Sequence, residues 1–314
     1  MSEHEEFEHF YENKIIPELE NLRFQSKQTG PWMVVGIVSV MLIVFTFFIG
    51  SMNALNNYGV VIVICVVTGI VAFYKYYKKK DEYEDEYKSG VIEEIIRYVS
   101  PGIIYKPREF MDQEFYEKSS LYRRYYSSYN GGDYMEGTID RVYFRCSEIF
   151  TYYSRYGRYG SGDTPIFTGL FFVIPISKRF TGGTYIWPAG DEQIPDSIYT
   201  EYYRMMPMPD ITLLDFNDGQ FDNYFSAYTT YFSQAEEILS YDFRRQLIIL
   251  RQSMQVNFSI SFVAGECFIA IPFDMDLLQP PPNMDKIKED IFYDYRMVQK
   301  IVNTVRCLDF KKLM

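Results

Sequence analysis

Two uncharged apolar blocks separated by a short polar turn constrain this chain more than any other feature. The first block, Pro31 to Ile49, reads PWMVVGIVSVMLIVFTFFI, and the second, Tyr58 to Phe73, reads YGVVIVICVVTGIVAF. A bilayer core is spanned by about 20 apolar helical residues, with a range of roughly 17 to 25. The first block meets this length, and the second meets it once the apolar and aromatic residues beside it are included. Because every backbone group in lipid must be bonded internally, we expect a transmembrane helical hairpin over residues 31–77.

Basic residues flank this hairpin at its outer ends and are absent from its turn. Arg23 and Lys27 precede the first block, and Lys75 and the run Lys78 to Lys80 follow the second. The connecting turn, Ser51 to Asn57, carries no charge. Lysine and arginine are enriched in cytoplasmic flanks. We therefore expect a multi-pass protein of the inner (plasma) membrane with both termini in the cytoplasm and only the turn outside.

Aromatic residues stand at the same flanks and suit the headgroup zone. They are Trp32 before the first block and Tyr74, Tyr76 and Tyr77 after the second. The chain begins MSEHEEFEHF, which is acidic, whereas a cleaved signal peptide begins with a basic region. The alternative to a membrane hairpin is a buried helical hairpin of a soluble protein.

Charge and histidine content exclude several classes of function. The formal net charge is −11, so the basic footprint of a nucleic-acid-binding protein is missing and we expect no nucleic acid partner. The two histidines, His4 and His9, both lie near the N-terminus. The remainder of the chain therefore offers neither a histidine-dependent nucleophile nor a histidine metal site. The four cysteines show no paired spacing and predict reduced, buried thiols, so we expect no cofactor.

The chain divides into four expected segments. Residues 1–30 form an N-terminal cytoplasmic amphipathic segment, 31–77 the hairpin, 78–129 a charged helical connector, and 130–314 a cytoplasmic α+β domain that ends in an amphipathic helix. In the first segment, apolar residues recur at helical spacing and Pro17 should bend or split the helix. These apolar residues are Phe7, Tyr11, Ile15, Leu19 and Leu22.

Strand and turn signals dominate the last segment. Asn130 to Gly132 predicts a turn that opens the domain, and Pro165 to Ser177 is apolar enough for a central buried strand. A hairpin is predicted over Val256 to Phe273, with helices over Gln234 to Met254 and Asp285 to Leu308. This order favours an α+β fold with a largely antiparallel sheet and flanking helices.

Three runs carry a resemblance to a known family. They are GDYMEGTIDRVYFRCSEI from Gly132, IFTGLFF from Ile166, and SISFVAGECFIAI from Ser259. In this order, and downstream of the apolar hairpin, they resemble the bacterial membrane proteins known as domain of unknown function 3137. The resemblance implies two membrane helices and a cytoplasmic domain, and it implies no reaction and no catalytic residue.

The stretch Tyr152 to Gly162, YYSRYGRYGSG, predicts an exposed hairpin tip. Arginine and tyrosine are enriched at the centres of protein interfaces, so we name a candidate contact tip; a plain solvated loop is the alternative. Its candidate binding residues are Tyr153, Arg155, Tyr156, Arg158 and Tyr159. The glycines here do not precede a helix, as a phosphate-binding loop requires. Asp215 to Gly219 departs from a calcium loop in its glycine position and favours a β-turn.

Four small residues in the apolar blocks, Gly36, Ser39, Gly59 and Gly69, would let helices approach closely. They serve either packing of the hairpin on itself or oligomerisation. Our leading hypothesis is a non-enzymatic, membrane-tethered binding or scaffolding module. Its partners would be the lipid bilayer and another membrane protein or a second copy. A membrane-anchored enzyme that uses carboxylates and a ligand sensor are the alternatives, although the short outer turn leaves a sensor little to bind with.

Overall fold

The computed structural model describes residues 3–50, 58–157, 160–177, 181–191, 210–273, 277–281, 287–308 and 310. Within these ranges it describes the backbone alone at residues 3, 21, 23–29, 49, 50, 58, 155–157, 160 and 161. The chain forms two compact units. The helical unit comprises residues 1–94 and 279–291, and the sheet unit comprises residues 95–278 and 292–314.

Long helices make up most of the helical unit. They are α1 (Glu3–Phe10), a π-helical turn (Tyr11–Ile15), α2 (Ile16–Gly50), α3 (Tyr58–Tyr87), a second π-helical turn (Lys88–Ile92) and α4 (Glu93–Val99), whose last residues belong to the sheet unit. The predicted amphipathic segment is therefore continuous with the first apolar block. All five of its predicted face residues are buried, with at most 7% of their surface exposed.

The first π-helical turn directly precedes Pro17. Proline has no backbone N–H, so it cannot donate to the carbonyl four residues earlier in an α-helix. The chain instead changes register, and the N–H of Ile16 donates to the carbonyl of Tyr11. The side-chain amide of Asn13 donates to the carbonyl of His9 at 2.7 Å. The helix is thus split at Tyr11–Ile15, as the proline predicts.

Helices α2 and α3 pack against each other as one antiparallel hairpin. In successive facing pairs the residue number falls in α2 as it rises in α3, and the helix ends at Gly50 and Tyr58 continue the same series. The facing pairs are Ser39 with Gly69, Gly36 with Phe73, Trp32 with Lys75, and Glu18 with Gly90. The antiparallel pairing therefore extends well beyond the apolar blocks, down to the second π-helical turn.

Nine described strands form one sheet in the sheet unit. They are β1 (Ile103–Lys106), β2 (Ser128–Ile139), β3 (Val142–Gly157), β4 (Gly160–Pro175), β5 (Gly183–Pro188), β6 (Thr212–Leu213), β7 (Phe225–Thr229), β8 (Ser259–Val263) and β9 (Glu266–Pro272). The order across the sheet is β1-β2-β3-β4-β9-β8-β5-β7-β6, and every described pair is antiparallel. The remaining helices are α5 (Gln113–Ser119), α6 (Gly219–Asp222), α7 (Phe232–Ile238), α8 (Tyr241–Met254) and α9 (Ile287–Cys307). The predicted α+β class with a large antiparallel sheet and flanking helices is confirmed.

The apolar stretch from Pro165 lies at the centre of this sheet, as predicted. Strand β4 is the fourth of the nine in order, and Phe171, Phe172 and Val173 are fully buried. The hairpin predicted from Val256 forms as β8 and β9, joined by Ala264 and Gly265 with φ of 50° and 80°. Both residues have the positive φ of a two-residue hairpin turn.

Two local predictions differ from the structure. The turn predicted at Asn130–Gly132 is wrong, because these residues lie inside β2, next to a bulge where Asp133 has φ of 54°. The chain turns instead at Asp140 and Arg141, whose φ values of 49° and 75° close the β2–β3 hairpin without a glycine. The helix predicted over Gln234 to Met254 is interrupted before α8, where the Ser240 hydroxyl accepts from the N–H of Phe243.

The sheet begins before the expected domain start at residue 130. Strand β1 pairs with β2 at one edge, and Met111, Tyr116 and Leu121 lie in the core with residues of β3, β4 and β9. The C-terminal segment has the buried face that helical spacing predicts for residues 285–308. The eight apolar residues on that face are all buried: Ile287, Ile291, Tyr295, Val298, Ile301, Val302 and Val305 in α9, and Leu308 directly after it. The polar, proline-punctuated stretch 191–209, which its composition predicts to be a loop, lies outside the described residues except for Asp191.

Candidate functional site

The outer surface of the α2–α3 hairpin is apolar and exposed. Residues Gly30–Phe48 and the helical run that begins at Gly59 are long and apolar enough to cross a membrane, by length and composition. Val34, Val44 and Ile70 are 60%, 65% and 65% exposed. An exposed apolar surface of this extent marks an interaction site for a membrane or a partner.

Three of the four small residues named from the sequence lie in the seam between α2 and α3. A Cβ added to Gly36 would lie 3.0 Å from the Phe73 ring, and one added to Gly69 would lie 3.5 Å from Ser39. Ser39 is buried, and its hydroxyl donates a hydrogen bond to the Val35 carbonyl at 2.8 Å. Of the four small residues named from the sequence, Gly36, Ser39 and Gly69 thus pack the hairpin on itself. Gly59 has nothing within 4 Å of an added Cβ.

Lysines cluster on α3 where its apolar stretch ends. The ammonium group of Lys75 lies 4.2 Å above the Trp32 ring, in cation–π contact. Lys78 and Lys79 lie 3.7 and 4.0 Å from the carboxylate of Glu82; Lys78 is exposed and Lys79 is half-buried. The sequence shows the lysines, but the Trp32–Lys75 pair follows only from the register of the two helices.

The predicted tip is the end of the long β3–β4 hairpin. Strand β2 pairs with β3 only as far as Tyr152, and β9 pairs with β4 only from Gly169. Residues 153–157 and 160–164, here named the β3–β4 arm, form five further pairs with each other, from Tyr153–Thr164 to Gly157–Gly160. The arm therefore extends past the ends of both neighbouring strands.

The arm holds three of the five predicted contact residues within described backbone. Tyr153 is 40% exposed. Arg155 and Tyr156 follow it in β3 with their backbone alone described, and Arg158 and Tyr159 lie outside the described residues. The structure thus places the first three on one strand of a protruding hairpin.

Two carboxylates are buried in the sheet and were not singled out from the sequence. Asp133 accepts a hydrogen bond from the Tyr105 hydroxyl, and Glu148 accepts one from the N–H of Leu277 at 2.9 Å. Both are 1% exposed. Burial raises the pKa of the Cys146 thiol well above its ordinary value, and the charges of Glu148 and Asp133 raise it further. Since the thiolate is the reactive form of cysteine, this arrangement keeps Cys146 inert.

An ion cluster joins α5 to the sheet. Glu266 of β9 lies 2.6 Å from the Lys118 ammonium group and 3.1 Å from the Arg145 guanidinium group. The same guanidinium group lies 4.2 Å above the Phe115 ring. The three charged side chains are at most 33% exposed, so this cluster fixes α5 on strands β3 and β9.

The Asp215–Gly219 stretch forms a capped turn. The Asp218 carboxylate accepts from the N–H of Phe221 at 3.3 Å and pairs with the Arg244 guanidinium group at 3.1 Å. Partial burial opposes the charged form, but the hydrogen bond and charge of Arg244 prevail and lower the pKa of Asp218. Across the described parts of the chain, no three histidine, cysteine, aspartate or glutamate side chains come together as metal ligands would.

Tyrosines line the core on the α5 side of the sheet. Tyr116 is buried, its hydroxyl lies 3.0 Å from that of Thr151, and its ring packs on those of Tyr122, Tyr126 and Tyr129. Burial raises the pKa of all four phenols, so they remain neutral. The high tyrosine content thus serves packing in this region.

These features define a class of protein: an α+β domain built on one antiparallel sheet, on a chain that also carries an exposed apolar helical hairpin. Residues 165–309 match the model of the family described as "Protein of unknown function (DUF3137)". This match supports the assignment of the chain to the family that the three sequence runs resemble. The runs from Ile166 and Ser259 lie inside the matched region, and the run from Gly132 lies before it.

No curated protein matches the chain. Among solved structures, the chain is similar to the mycobacterial trehalose monomycolate transport factor A, TtfA, at 12% sequence identity. The likeness covers 69% of this chain and 96% of that structure, with a TM-score of 0.32. A likeness this distant says nothing about ligand or activity.

Proposed function

We propose that this protein is a membrane-tethered binding or scaffolding module of the inner (plasma) membrane. In this proposal α2 and α3 cross the bilayer, both termini stay in the cytoplasm, and the sheet unit works there. Its partner is another membrane protein or a second copy of the chain, and the β3–β4 arm contacts it. Four features support the proposal.

The observation on which the proposal mainly rests is the matched length of the two apolar surfaces. The helical register sets Pro31 level with Tyr77 and Ile49 level with Gly59. Each helix then presents 19 residues between these levels, about 28 Å at 1.5 Å per residue. The hydrocarbon core of a bilayer is about 30 Å thick. Gly36, Ser39 and Gly69 face the seam, while large apolar residues such as Val34, Val44 and Ile70 face outward. This arrangement suits lipid as the solvent.

The charge distribution supports the orientation. The lysines gather at one end of the hairpin, and the turn at the other end, residues 51–57, is uncharged. Trp32 lies at the lysine end, where the amphipathic ring of an interfacial aromatic residue is favoured. The positive end therefore belongs on the cytoplasmic side.

The β3–β4 arm supports a binding role. A two-stranded hairpin is at best marginally stable in water by itself. The β3–β4 arm extends past its neighbouring strands β2 and β9, so contact with a partner surface would stabilise it. We prefer a binding module to the carboxylate enzyme because the two carboxylates buried in the sheet, Asp133 and Glu148, both accept hydrogen bonds that hold the fold.

Purification of the tagged full-length chain from membranes in mild detergent tests the proposal. We expect a companion protein or a self-assembled oligomer that survives gel filtration. A variant with Tyr153→Ala, Arg155→Ala and Tyr156→Ala should lose it, whereas a control with alanine at the exposed Tyr125, Tyr231 and Tyr241 should retain it. A clean monomer across several detergents, or recovery of the chain in an alkaline wash of the membranes, would count against the proposal.

A further inference from the structure

We propose that the lysine belt of α3, defined as Lys75, Lys78, Lys79 and Lys80, binds the phosphate groups of anionic phospholipids. The belt would then select these lipids from a mixed bilayer and hold them against the base of the hairpin. This inference rests on the proposed function, because the belt meets headgroups only if the hairpin lies in lipid.

The belt has the geometry of a headgroup site. Residues three and four apart share one face of a helix, so Lys75, Lys78 and Lys79 project from the same side of α3. Lys75, Lys78 and Lys80 are exposed. Lys78 and Lys80 come directly after Tyr77, where the apolar surface ends, and Lys75 lies two residues before that end. The four lysines therefore project from a stretch of helix about 8 Å long, and a phosphate in the headgroup layer would meet several of their ammonium groups.

Trp32 fixes the depth of this site. Its ring lies 4.2 Å from the Lys75 ammonium group, and a tryptophan ring prefers the boundary between acyl chains and headgroups. The pair therefore orders one lysine at that boundary before any lipid arrives, which lowers the entropy lost when a phosphate binds.

The acidic residues nearby leave the belt available. Lys78 and Lys79 lie 3.7 and 4.0 Å from the Glu82 carboxylate near the helix surface, and surface ion pairs of this kind are weak. The run Asp81 to Glu86 continues the helix by about 9 Å away from the apolar stretch. Basic and acidic charges thus occupy successive levels, with the basic level next to the bilayer. Anionic headgroups are attracted to the lysines, and the acidic residues beyond them do not attract these headgroups.

The two tryptophans of the chain make the inference measurable. Trp32 lies at the belt, whereas Trp187 is fully buried in β5 of the sheet unit. The full-length protein is reconstituted in phosphatidylcholine vesicles that contain phosphatidylglycerol. In separate samples one of the two lipids is brominated near its ester end, because bromine quenches only tryptophans in contact with it. A Trp32→Phe chain supplies the background from Trp187.

The ratio of quenching by the two brominated lipids gives their relative affinity at Trp32. Each lysine near an anionic surface contributes about a fivefold preference, and the contributions of the four lysines multiply, so we expect phosphatidylglycerol to be favoured by about two orders of magnitude or more. The variant Lys78→Gln, Lys79→Gln, Lys80→Gln should lower the ratio to about five, the contribution of the remaining Lys75, and added salt should lower it in the wild-type chain. A control with Lys14→Gln, Arg141→Gln and Arg296→Gln changes the net charge equally at exposed positions elsewhere and should keep the preference.

The outcomes separate this inference from the proposed function. Equal quenching by both lipids in the wild-type chain would overturn the lipid site and leave the membrane hairpin standing. Quenching by neither lipid would show that Trp32 is outside the bilayer and would overturn both. Loss of the preference in the control as well as in the lysine variant would show general charge attraction and would overturn the assignment to the belt.

Discussion

The substitution Gly169→Ala probes the centre of the sheet most sharply. Gly169 lies in β4, between Ile149 of β3 and Pro272 of β9. Its φ is +149°, a value that L side chains rarely adopt, and an added Cβ would lie 2.1 Å from the Ile271 carbonyl oxygen and 2.8 Å from Cα of Pro272. Both neighbours are backbone atoms, so no side-chain rotation relieves the clash.

The expected cost has two parts. A side chain at such a backbone conformation costs about 1–3 kcal/mol, and displacing packed backbone costs about 1–3 kcal/mol more. We therefore expect the free energy of unfolding to fall by about 2–6 kcal/mol. For a unit of this size that corresponds to a melting temperature lower by roughly 4 to 24 °C.

Thermal unfolding of the full-length protein in detergent micelles measures this shift, with the fluorescence of the buried Trp187 as the reporter. Gly162→Ala is the matched control, because Gly162 lies in the same strand and has nothing within 4 Å of an added Cβ. Its melting temperature should stay unchanged or rise slightly. If Gly169→Ala melts within a degree of the wild type, the strain described at this position is refuted.

Three further results are expected. In a Cys65→Ala background, Ser39→Cys with Gly69→Cys should form a disulfide on mild oxidation, because their Cβ atoms would be 3.5 Å apart and a disulfide needs about 3.5–4.5 Å; Ser39→Cys with Gly59→Cys should not, and equal yields would refute the helical register. Glu266→Gln should lower the free energy of unfolding by about 1–3 kcal/mol, since Lys118 and Arg145 lose their shared carboxylate. Glu236→Gln, at an exposed position, is the control and should have little effect. Urea unfolding compares the two variants, and equal midpoints would contradict the ion cluster. The pKa of Asp218 is lowered in the folded protein. The charged carboxylate therefore stabilises the fold above the ordinary aspartate pKa of about 4, and this stabilisation is lost as the pH falls through the folded pKa. Asp218→Asn should flatten the acid side of the plot of unfolding free energy against pH, and an unaltered plot would contradict the pairing with Arg244.

Much of the fold could be predicted from local patterns. Helical periodicity identified the buried faces of the N-terminal segment and of α9, because burial follows spacing along a helix. The run from Pro165 was recognised as central because a strand buried on both faces reads as continuously apolar. The class followed from the order of these elements.

Other features depended on tertiary contacts that no local pattern records. Asn130–Gly132 has the composition of a turn, yet these residues pair with β3 and form part of a strand. The turn forms instead at Asp140–Arg141, which contains no glycine. The buried group of Asp133, Cys146 and Glu148 comes from two paired strands and shows no motif spacing. The Trp32–Lys75 contact joins residues in different helices and needed the α2–α3 register.

The central claim, that the α2–α3 hairpin crosses the membrane with both termini in the cytoplasm, is tested most directly by labelling single cysteines. Asn56→Cys, Ser2→Cys and Lys312→Cys are introduced one at a time into a chain whose native cysteines are replaced by alanine. An impermeant maleimide is then added to right-side-out and to inverted membrane vesicles. We expect Asn56→Cys to react only in right-side-out vesicles and both terminal cysteines to react only in inverted ones. A terminal cysteine that reacts in right-side-out vesicles, or equal labelling of all three positions in both preparations, would contradict the claim.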